Sequence, residues 1–267
     1  MTDNAIGAPL PTLPTLWRAK LRAGGLHLAL SAVVFLGLIS LTVALWYPPP
    51  FFWIDGGIQI VLIAAGVDIG LGPLLTVVVY RPRRPRLWMN LAVIGAVQVA
   101  GLGWGIHTLY SQRPVLAAFI GYPENRFFPV TTAEIAKGPR SLDELRALSK
   151  SRPPLVYIDL PGDRKQHLKE IMQAWKEGGS VLRETALYRP IAGKALEEVI
   201  AGTRTRATYA DEPAYEKDID RFVAAHGGNE KAFALIPLYG RFGRGLLALS
   251  RTDGHLVGVV AMQFRLH

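Results

Sequence analysis

The sequence predicts a membrane protein in which three N-terminal transmembrane α-helices precede an α+β extracytoplasmic domain. Three apolar runs long enough to cross a membrane lie before residue 111. Arginine-rich segments mark one side of these runs. The remaining sequence mixes short β-forming runs with amphipathic helices. We therefore expect a disordered cytoplasmic tail with a basic cluster at 1–25, a transmembrane domain at 26–110, and a periplasmic α+β domain at 111–267.

The composition agrees with this fold class. Half of the 267 residues are hydrophobic, and the formal net charge is +9. Much of the positive excess lies in two short clusters beside the apolar runs, so it indicates topology before it suggests nucleic acid. The sequence contains no cysteine, which excludes disulfides and thiolate metal sites.

The first apolar run extends from Leu26 to Tyr47 and follows the basic residues Arg18, Lys20 and Arg22. A charged region before an apolar one resembles a signal peptide. This apolar run, however, is about twice the length of a signal-peptide core, and no small-residue cleavage site follows it. We therefore expect a retained first span, with Trp46 and Tyr47 at the level of the lipid head groups.

The loops between the spans predict the orientation of the chain. The loop between the first two spans carries one acidic residue, Asp55. The loop between the second span, Ile58 to Tyr80, and the third, about Leu87 to Tyr110, carries four arginines: Arg81, Arg83, Arg84 and Arg86. Because arginine excess marks the cytoplasmic side, the N-terminus is predicted inside and the region after Ser111 in the periplasm. The chain is thus predicted to be a multi-pass protein of a bacterial inner membrane.

Asp68 lies close to the midpoint of the second span. A central Asp costs roughly 2.5–3.5 kcal/mol on insertion scales, whereas each aliphatic residue returns roughly 0.3–0.6 kcal/mol. The span can therefore insert, but an intramembrane carboxylate indicates a functional site by default. The alternative is structural: Asp68 bonds to Gln98 in the third span, or to Thr76, and fixes the helix register.

The second span has two opposed faces suited to close helix packing. The residues on one face are Ala64, Asp68, Gly72 and Thr76. Gly66 and Gly70 form a small-residue pair about 160° away around the helix. We expect one face to pack on the chain's own spans and the other to receive a helix from a partner or a second copy. Pro73 predicts a kink just past Asp68, because it removes the hydrogen bond to the Ile69 carbonyl.

The outer region is predicted to contain at least two helices and several strands. The predicted strands cover Val115 to Ile120, Leu155 to Leu160, Phe233 to Leu238, and Gly245 to Met262 with a turn at Thr252 to Gly254. One helix begins at Asp163, carries Leu168, Ile171, Met172 and Trp175 at helical spacing, and ends at Gly178 and Gly179. A second helix covers Pro213 to Ala225 and ends at Gly227 and Gly228.

The sequence carries no recognisable catalytic, cofactor or metal motif. Ser250, Asp253 and His255 are the residue types of a catalytic triad, but they lie within one hairpin, where the three seldom meet. The outer region is mildly basic, with Arg204 and Arg206 among its charges. Such a face suits lipid head groups or an acidic partner better than nucleic acid, whose modules are absent. We expect neither an enzyme nor a bound cofactor or metal.

Several motifs resemble the TfpX/TfpZ family of type IV pilin accessory proteins. They are Trp46-Tyr47-Pro48 at the end of the first span, Gly66-Val67-Asp68 and Leu71-Gly72-Pro73-Leu74-Leu75-Thr76 in the second, the short Arg/Pro loop, and a third span ending before Arg113-Pro114. The length and layout of the chain are also similar to this family. The membrane half carries most of the resemblance.

The resemblance implies an inner-membrane accessory protein or chaperone that binds and stabilises a type IV pilin before pilus assembly. One face of the second span would receive the membrane helix of the pilin, and the outer domain would bind the pilin head. Membrane lipids are further expected contacts, and the glycine faces leave a homo-oligomer open.

Two other classes of function remain open from the sequence. One is a membrane-anchored sensor whose periplasmic domain binds a ligand, although the predicted cytoplasmic segments contain no output domain. The other is a small transporter or membrane enzyme using Asp68, although the sequence indicates no second polar group beside it.

Overall fold

The computed structural model describes residues 13–81, 87–176, 180–203 and 213–264, which fall into two compact units. The helical unit comprises the described residues within Met1–Ser40 and Ile60–His107. The sheet unit comprises those within Leu41–Gln59 and Thr108–His267. The sheet unit therefore includes the segment that joins the first two apolar helices.

Three apolar helices are long enough to cross a membrane, as predicted. They cover Thr15–Trp46, Gly57–Val79 and Leu87–Ser111. Their parts are α1 (Leu13–Leu41) with a π-helical end (Thr42–Trp46), α3 (Gly57–Ala65) and α4 (Gly72–Val79) joined by a π-helical segment (Gly66–Leu71), and α5 (Leu87–Ser111). Between the first two, α2 (Phe51–Ile54) is a single turn.

The first helix includes residues that the sequence analysis placed in a disordered tail. The chain is helical from Leu13, so Arg18, Lys20 and Arg22 lie within α1. Good helix formers run through 16–23, and a proline in the first turn is tolerated because its missing N–H would have no partner there. Residues 1–12 lie outside the described ranges. So do Arg83, Arg84 and Arg86 of the predicted basic loop, whereas Arg81 is described and exposed.

The second apolar helix departs from α-geometry next to Asp68, where the sequence predicted a kink. Residues Gly66–Leu71 are π-helical, and the N–H of Gly72 donates to the carbonyl of Val67, five residues back. Pro73 follows directly and has no N–H to donate. The extra residue in the turn is a known way for a helix to accommodate such a break.

The sheet unit is built on a mixed seven-stranded sheet in the order β4-β3-β1-β2-β5-β6-β7. The strands are β1 (Pro114–Ile120), β2 (Arg126–Thr131), β3 (Leu155–Ile158), β4 (Tyr188–Pro190), β5 (Phe233–Tyr239), β6 (Gly243–Ser250) and β7 (Leu256–Phe264). The pairs β1–β3 and β2–β5 are parallel, and the other neighbours are antiparallel.

Helices cover both faces of this sheet. They are α6 (Thr132–Ile135), α7 (Leu142–Arg146), α8 (Arg164–Lys176), α9 (Lys194–Ala201) and α10 (Pro213–Ala225). One face packs against α2 and α9, with Phe51 and Ile54 fully buried in its core. The other face packs against α6, α7 and α8 at one end and against α10 at the other. The connection between the first two apolar helices is thus part of the sheet unit's core.

Most of the outer elements predicted from sequence are present. The predicted helix at Pro213 to Ala225 has those bounds, and Gly227 and Gly228 beyond it adopt positive φ. The helix predicted from Asp163 is α8; Ile171 is buried, but Leu168 and Met172 are exposed. The side chain of Trp175 and the predicted end at Gly178 and Gly179 lie outside the described residues, as do Arg204 and Arg206. The sequence analysis missed β2, β4, α2, α6, α7 and α9.

Candidate functional site and family relationship

The two faces of the second apolar helix have different surroundings in the helical unit. Gly72, Pro73 and Thr76 are buried, and Asp68 is half-buried, as is Ala64 one turn earlier. In contrast, Gly66 and Gly70 are exposed, and a β-carbon placed on either would meet no atom within 4 Å. The Asp68 face therefore points toward the chain's own helices, and the glycine pair points away from them.

Three helices contribute polar side chains to the Asp68 face. The Nδ1 atom of His27 in α1 lies 2.6 Å from the hydroxyl oxygen of Thr76 in α4. The Thr76 hydroxyl also lies 3.1 Å from the carbonyl oxygen of Gly72 and donates to it. The side-chain amide of Gln98 in α5 packs against Gly72 so closely that a β-carbon there would overlap it. Gly72 thus leaves room for a polar side chain from another helix.

Asp68 differs from His27 and Thr76 because its carboxylate accepts no hydrogen bond from any residue within the described ranges. It lies close enough to His27 for an electrostatic interaction. The two partners suggested by the sequence are engaged elsewhere: Thr76 bonds to His27, and Gln98 packs on Gly72. Asp68 lines an open cavity of about 800 Å³ between the three helices, together with His27, Thr76 and Gln98. We call these four residues the polar cluster.

The sequence analysis did not assign His27 to this site. It placed the start of the first span at Leu26, so that His27 fell at its inner end, at the interface. Because α1 is already helical at Leu13, His27 lies near the middle of that helix. If the predicted first helix had been extended back through the basic residues 18–22, His27 would have been placed inside it.

The sheet unit contains a second buried aspartate that is fully paired. Asp55 follows α2, is 3% exposed, and faces Arg241 in the β5–β6 turn. Its Oδ1 accepts from Arg241 Nε at 3.1 Å and from the Arg241 backbone N–H at 3.2 Å, and its Oδ2 accepts from Nη2 at 3.3 Å. Arg241 Nη1 also donates to Gln112 Oε1 at 3.3 Å.

Burial and pairing shift the pKa of the Asp55 carboxyl in opposite directions. Burial raises the pKa of the Asp55 carboxyl, and the hydrogen bonds and charge of Arg241 oppose that rise without cancelling it. Burial, followed by the negative charge of Asp55, raises the pKa of the nearby Tyr47 to about 12. Tyr47 is therefore neutral at physiological pH, and its hydroxyl donates to the Leu109 carbonyl oxygen at 3.4 Å.

Aromatic side chains lie at the ends of the first and third apolar helices. The rings of Trp46 and Tyr110 meet edge to face with centroids 5.6 Å apart. The guanidinium of Arg113 lies 3.9 Å from the centroid of the Tyr110 ring. Aromatic rings combined with arginine at span ends are typical of the lipid head-group level.

The structure shows no catalytic arrangement at the hairpin that the sequence singled out. His255 Nδ1 lies 2.7 Å from Asp253 Oδ1, but the Ser250 hydroxyl oxygen lies 2.7 Å from that of Thr252, not at the imidazole. Across the four described ranges, no group of three His, Asp or Glu side chains is close enough together to hold a metal ion.

The comparisons with known proteins relate part of the chain to fimbrial assembly proteins. The family model described as Fimbrial assembly protein FimB matches residues 15–56. A relative from Dichelobacter nodosus, the fimbrial assembly protein of serogroup E1, is 32% identical over 106 residues, which cover 39% of this chain and 40% of that protein. No solved structure matches the chain significantly.

The alignment with a second relative covers a larger share of that protein. The fimbrial assembly protein of serogroups C1 and C2, also from Dichelobacter nodosus, is 30% identical over 106 residues, which cover 79% of its length and 39% of this chain. The aligned segment thus spans less than half of the serogroup E1 protein but most of the shorter C1 and C2 protein. On this relationship, the chain belongs to the FimB family of fimbrial assembly proteins.

Proposed function

We propose that the protein is an inner-membrane accessory protein of type IV fimbrial biogenesis that binds a pilin before assembly. Membership of the FimB family and the names of the relatives support a role in fimbrial assembly. The resemblance of the span motifs to the TfpX/TfpZ family supports the narrower role of a pilin-specific chaperone. In this role the protein binds and positions its partner and catalyses no reaction.

The observation that carries the proposal is the Asp68 carboxylate on the wall of an open cavity, where it accepts no hydrogen bond from the described residues. In lipid, helices associate through close packing and interhelical hydrogen bonds rather than through the hydrophobic effect. A pilin awaiting assembly is held in the membrane by one apolar helix. Such a helix would fill the cavity between the three apolar helices and offer a polar group to Asp68.

The sheet unit supplies the second contact in this proposal. A pilin carries a globular head outside the membrane, and the sheet unit follows the third apolar helix directly. With the arginine-marked loops inside, the sheet unit lies in the periplasm and sets specificity by binding the head. Recognition at two sites raises affinity because the second contact forms at a high effective concentration.

The test is photo-crosslinking in pilin-producing cells, with one probe residue per variant. Val34 and Val99 line the cavity and are 42% and 71% exposed. Leu71 and Leu74, on the second helix, do not line it and are 50% and 59% exposed. These four positions give two matched pairs of apolar, accessible side chains.

Adducts to the pilin from Val34 and Val99, in clear excess over Leu71 and Leu74, are the expected result. Pilin adducts only from Leu71 and Leu74 would place the pilin outside the cavity and leave Asp68 unexplained. Adducts only to a second copy of the chain, or only to lipid, from all four positions would contradict pilin binding in the membrane.

A transporter is the second candidate, because His27 and Asp68, two ionisable residues, line the same cavity. Two ionisable groups at a cavity are a minimal requirement for carrying a proton or an ion. Asp68→Asn separates the two functions. If Asp68 serves pilin binding, the variant lowers pilin crosslinking and leaves proton and solute flux unchanged in vesicles of the purified protein; a loss of flux would favour transport.

A further inference from the structure

The sheet unit contains a cavity of about 490 Å³. Two of its lining residues are close in sequence to the ends of apolar helices. Asp55 on its wall is two residues before α3, and Gln112 is the first residue after α5. Arg241 connects these two residues through its hydrogen bonds. If the apolar helices span a membrane, this cavity lies at the level of the lipid head groups.

The charged side chains of the cavity leave an excess of one positive charge. The basic residues are Lys137, Arg183 and Arg241, and the acidic residues are Asp55 and Glu134. Both acids are engaged internally: Asp55 by Arg241, and Glu134 by the N–H and hydroxyl of Thr131 at 2.8 and 3.0 Å. Lys137 is exposed and has no carboxylate partner within the described part of the chain.

The remaining wall of the cavity is largely apolar. Phe128, Pro129 and Leu182 contribute to it. An anionic ligand with an attached apolar part would therefore contact both kinds of surface. A phospholipid at the head-group level has this chemistry, because its phosphate carries one negative charge and its glycerol carries acyl chains.

We propose that this cavity binds the phosphate head group of an anionic phospholipid in the leaflet that faces the sheet unit, with Lys137 as its main cationic contact. Position favours lipid over an acidic protein segment, since the cavity wall includes the residue that follows a membrane-spanning helix. The cation–aromatic contact of Arg113 with Tyr110 places further positive charge at the same level. Lys and Arg side chains close to a membrane surface are attracted to anionic lipid head groups.

The experiment uses the full chain in nanodiscs that contain a photoactivatable phosphatidylglycerol, with adducts located by peptide mass spectrometry. A phosphatidylcholine with the same photoactive group is the zwitterionic comparison. The variants are Lys137→Gln, which removes the charge, and Lys137→Arg, which keeps it. Lys231→Gln is the matched control, because Lys231 is also exposed but precedes β5. Seven strand residues, about 20 Å, separate it from the cavity wall at Tyr239.

Phosphatidylglycerol should label peptides from 128–137 in the wild type, in Lys137→Arg and in Lys231→Gln. Lys137→Gln should lower this labelling about fivefold, as expected for one lysine at an anionic surface. Equal labelling by phosphatidylcholine would overturn the proposal, as would unchanged labelling in Lys137→Gln. Capture of a pilin by a crosslinker at Ala133 in cells would assign the cavity to a protein instead. None of these outcomes depends on where the pilin helix binds in the helical unit.

Discussion

Asp55 and Asp68 lie on either side of α3 in the chain. They differ in how their carboxylates are paired. Asp55 is almost fully buried in the sheet unit and accepts three hydrogen bonds from Arg241. Asp68 lies in the helical unit on the wall of an open cavity and accepts none from the described residues. Among the described residues, one carboxylate has hydrogen-bond donors and the other has none.

Under the proposed function, this difference separates a structural charge from one that meets a partner molecule. A buried carboxylate needs a partner, because an unpaired charge in the interior costs several kcal/mol. Asp55 has such a partner, and it connects the segment before α3 with the β5–β6 turn. Asp68 accepts no hydrogen bond from the described residues, and the proposed function gives it a partner molecule.

The largest expected effect concerns the short helix that leads to Asp55. Phe51 in α2 is fully buried against the sheet. Phe51→Ala should lower the free energy of unfolding by about 3–5 kcal/mol, because it removes a large side chain and leaves a cavity. Denaturant unfolding of the detergent-solubilised chain measures this loss. The control is Leu168→Ala on α8, where the side chain is 39% exposed and the loss should stay below about 1 kcal/mol. Equal losses would remove α2 from the core.

The next effect tests the pairing of Asp55 directly. Arg241→Ala leaves the Asp55 carboxylate buried without its partner and should cost about 3 kcal/mol, at the low end for buried pairs because the Arg241 side chain is 47% exposed. Arg146→Ala breaks an exposed pair with Asp143 at 3.5 Å and should cost less than about 1 kcal/mol. If the two variants unfold at the same denaturant concentration, Asp55 does not depend on its pairing, and its contrast with Asp68 is lost.

The sequence alone predicted the elements whose pattern is local. The three apolar helices, α8, α10 and the C-terminal hairpin follow from hydrophobic periodicity and turn residues within each segment. The strand β2 was missed because Pro129 lies within it, and proline is normally confined to edge strands. Here β2 is central, but it pairs with β5 only at Phe127. A proline without an N–H is tolerated where the pairing is this short.

The candidate site was only partly predictable because its contacts are not local. The polarity and depth of Asp68 identified it as the central residue. Its surroundings depend on His27 and Thr76, which are 49 residues apart in the chain, and Arg241 reaches Asp55 across 186 residues. Periodicity and motifs describe one segment at a time, so they cannot predict contacts between residues this far apart in sequence. For the same reason, the sequence did not indicate that α2 enters the core of the sheet unit.

A pair of glycine substitutions tests which face of the second helix packs internally. Gly72→Leu forces the Gln98 amide and the His27 ring to move, so it should cost about 1–3 kcal/mol, as overpacking typically does. Gly70→Leu enters open space and should change stability by less than about 0.5 kcal/mol. Thermal unfolding of both variants in one detergent compares them. A larger loss for Gly70→Leu would place the glycine pair inside the helical unit.

Asp68→Asn should have a smaller effect on stability than any of these changes. The substitution keeps the shape of the side chain, and no hydrogen bond from the described residues is lost, so the free energy of unfolding should change by less than about 1 kcal/mol. Fimbriation of the cells should nevertheless fall. A destabilisation as large as that of Arg241→Ala would make Asp68 a structural residue like Asp55.

The smallest effect concerns Asp253, an exposed aspartate that serves as a reference for the other two. A hydrogen bond from the Ser250 side chain, followed by one from His255, lowers its pKa to about 2. A lowered pKa in the folded state means that its contribution to stability is present above the unfolded value of about 3.9 and is lost as the pH falls toward 2. NMR titration of 13C-labelled aspartate should therefore give Asp253 a midpoint near 2, and Ser250→Ala should raise it.

The Asp55 resonance should titrate above the ordinary value in the same experiment, because burial raises its pKa. If both resonances titrate near 3.9, burial and hydrogen bonding do not distinguish these aspartates, and the contrast drawn for Asp68 loses its physical basis.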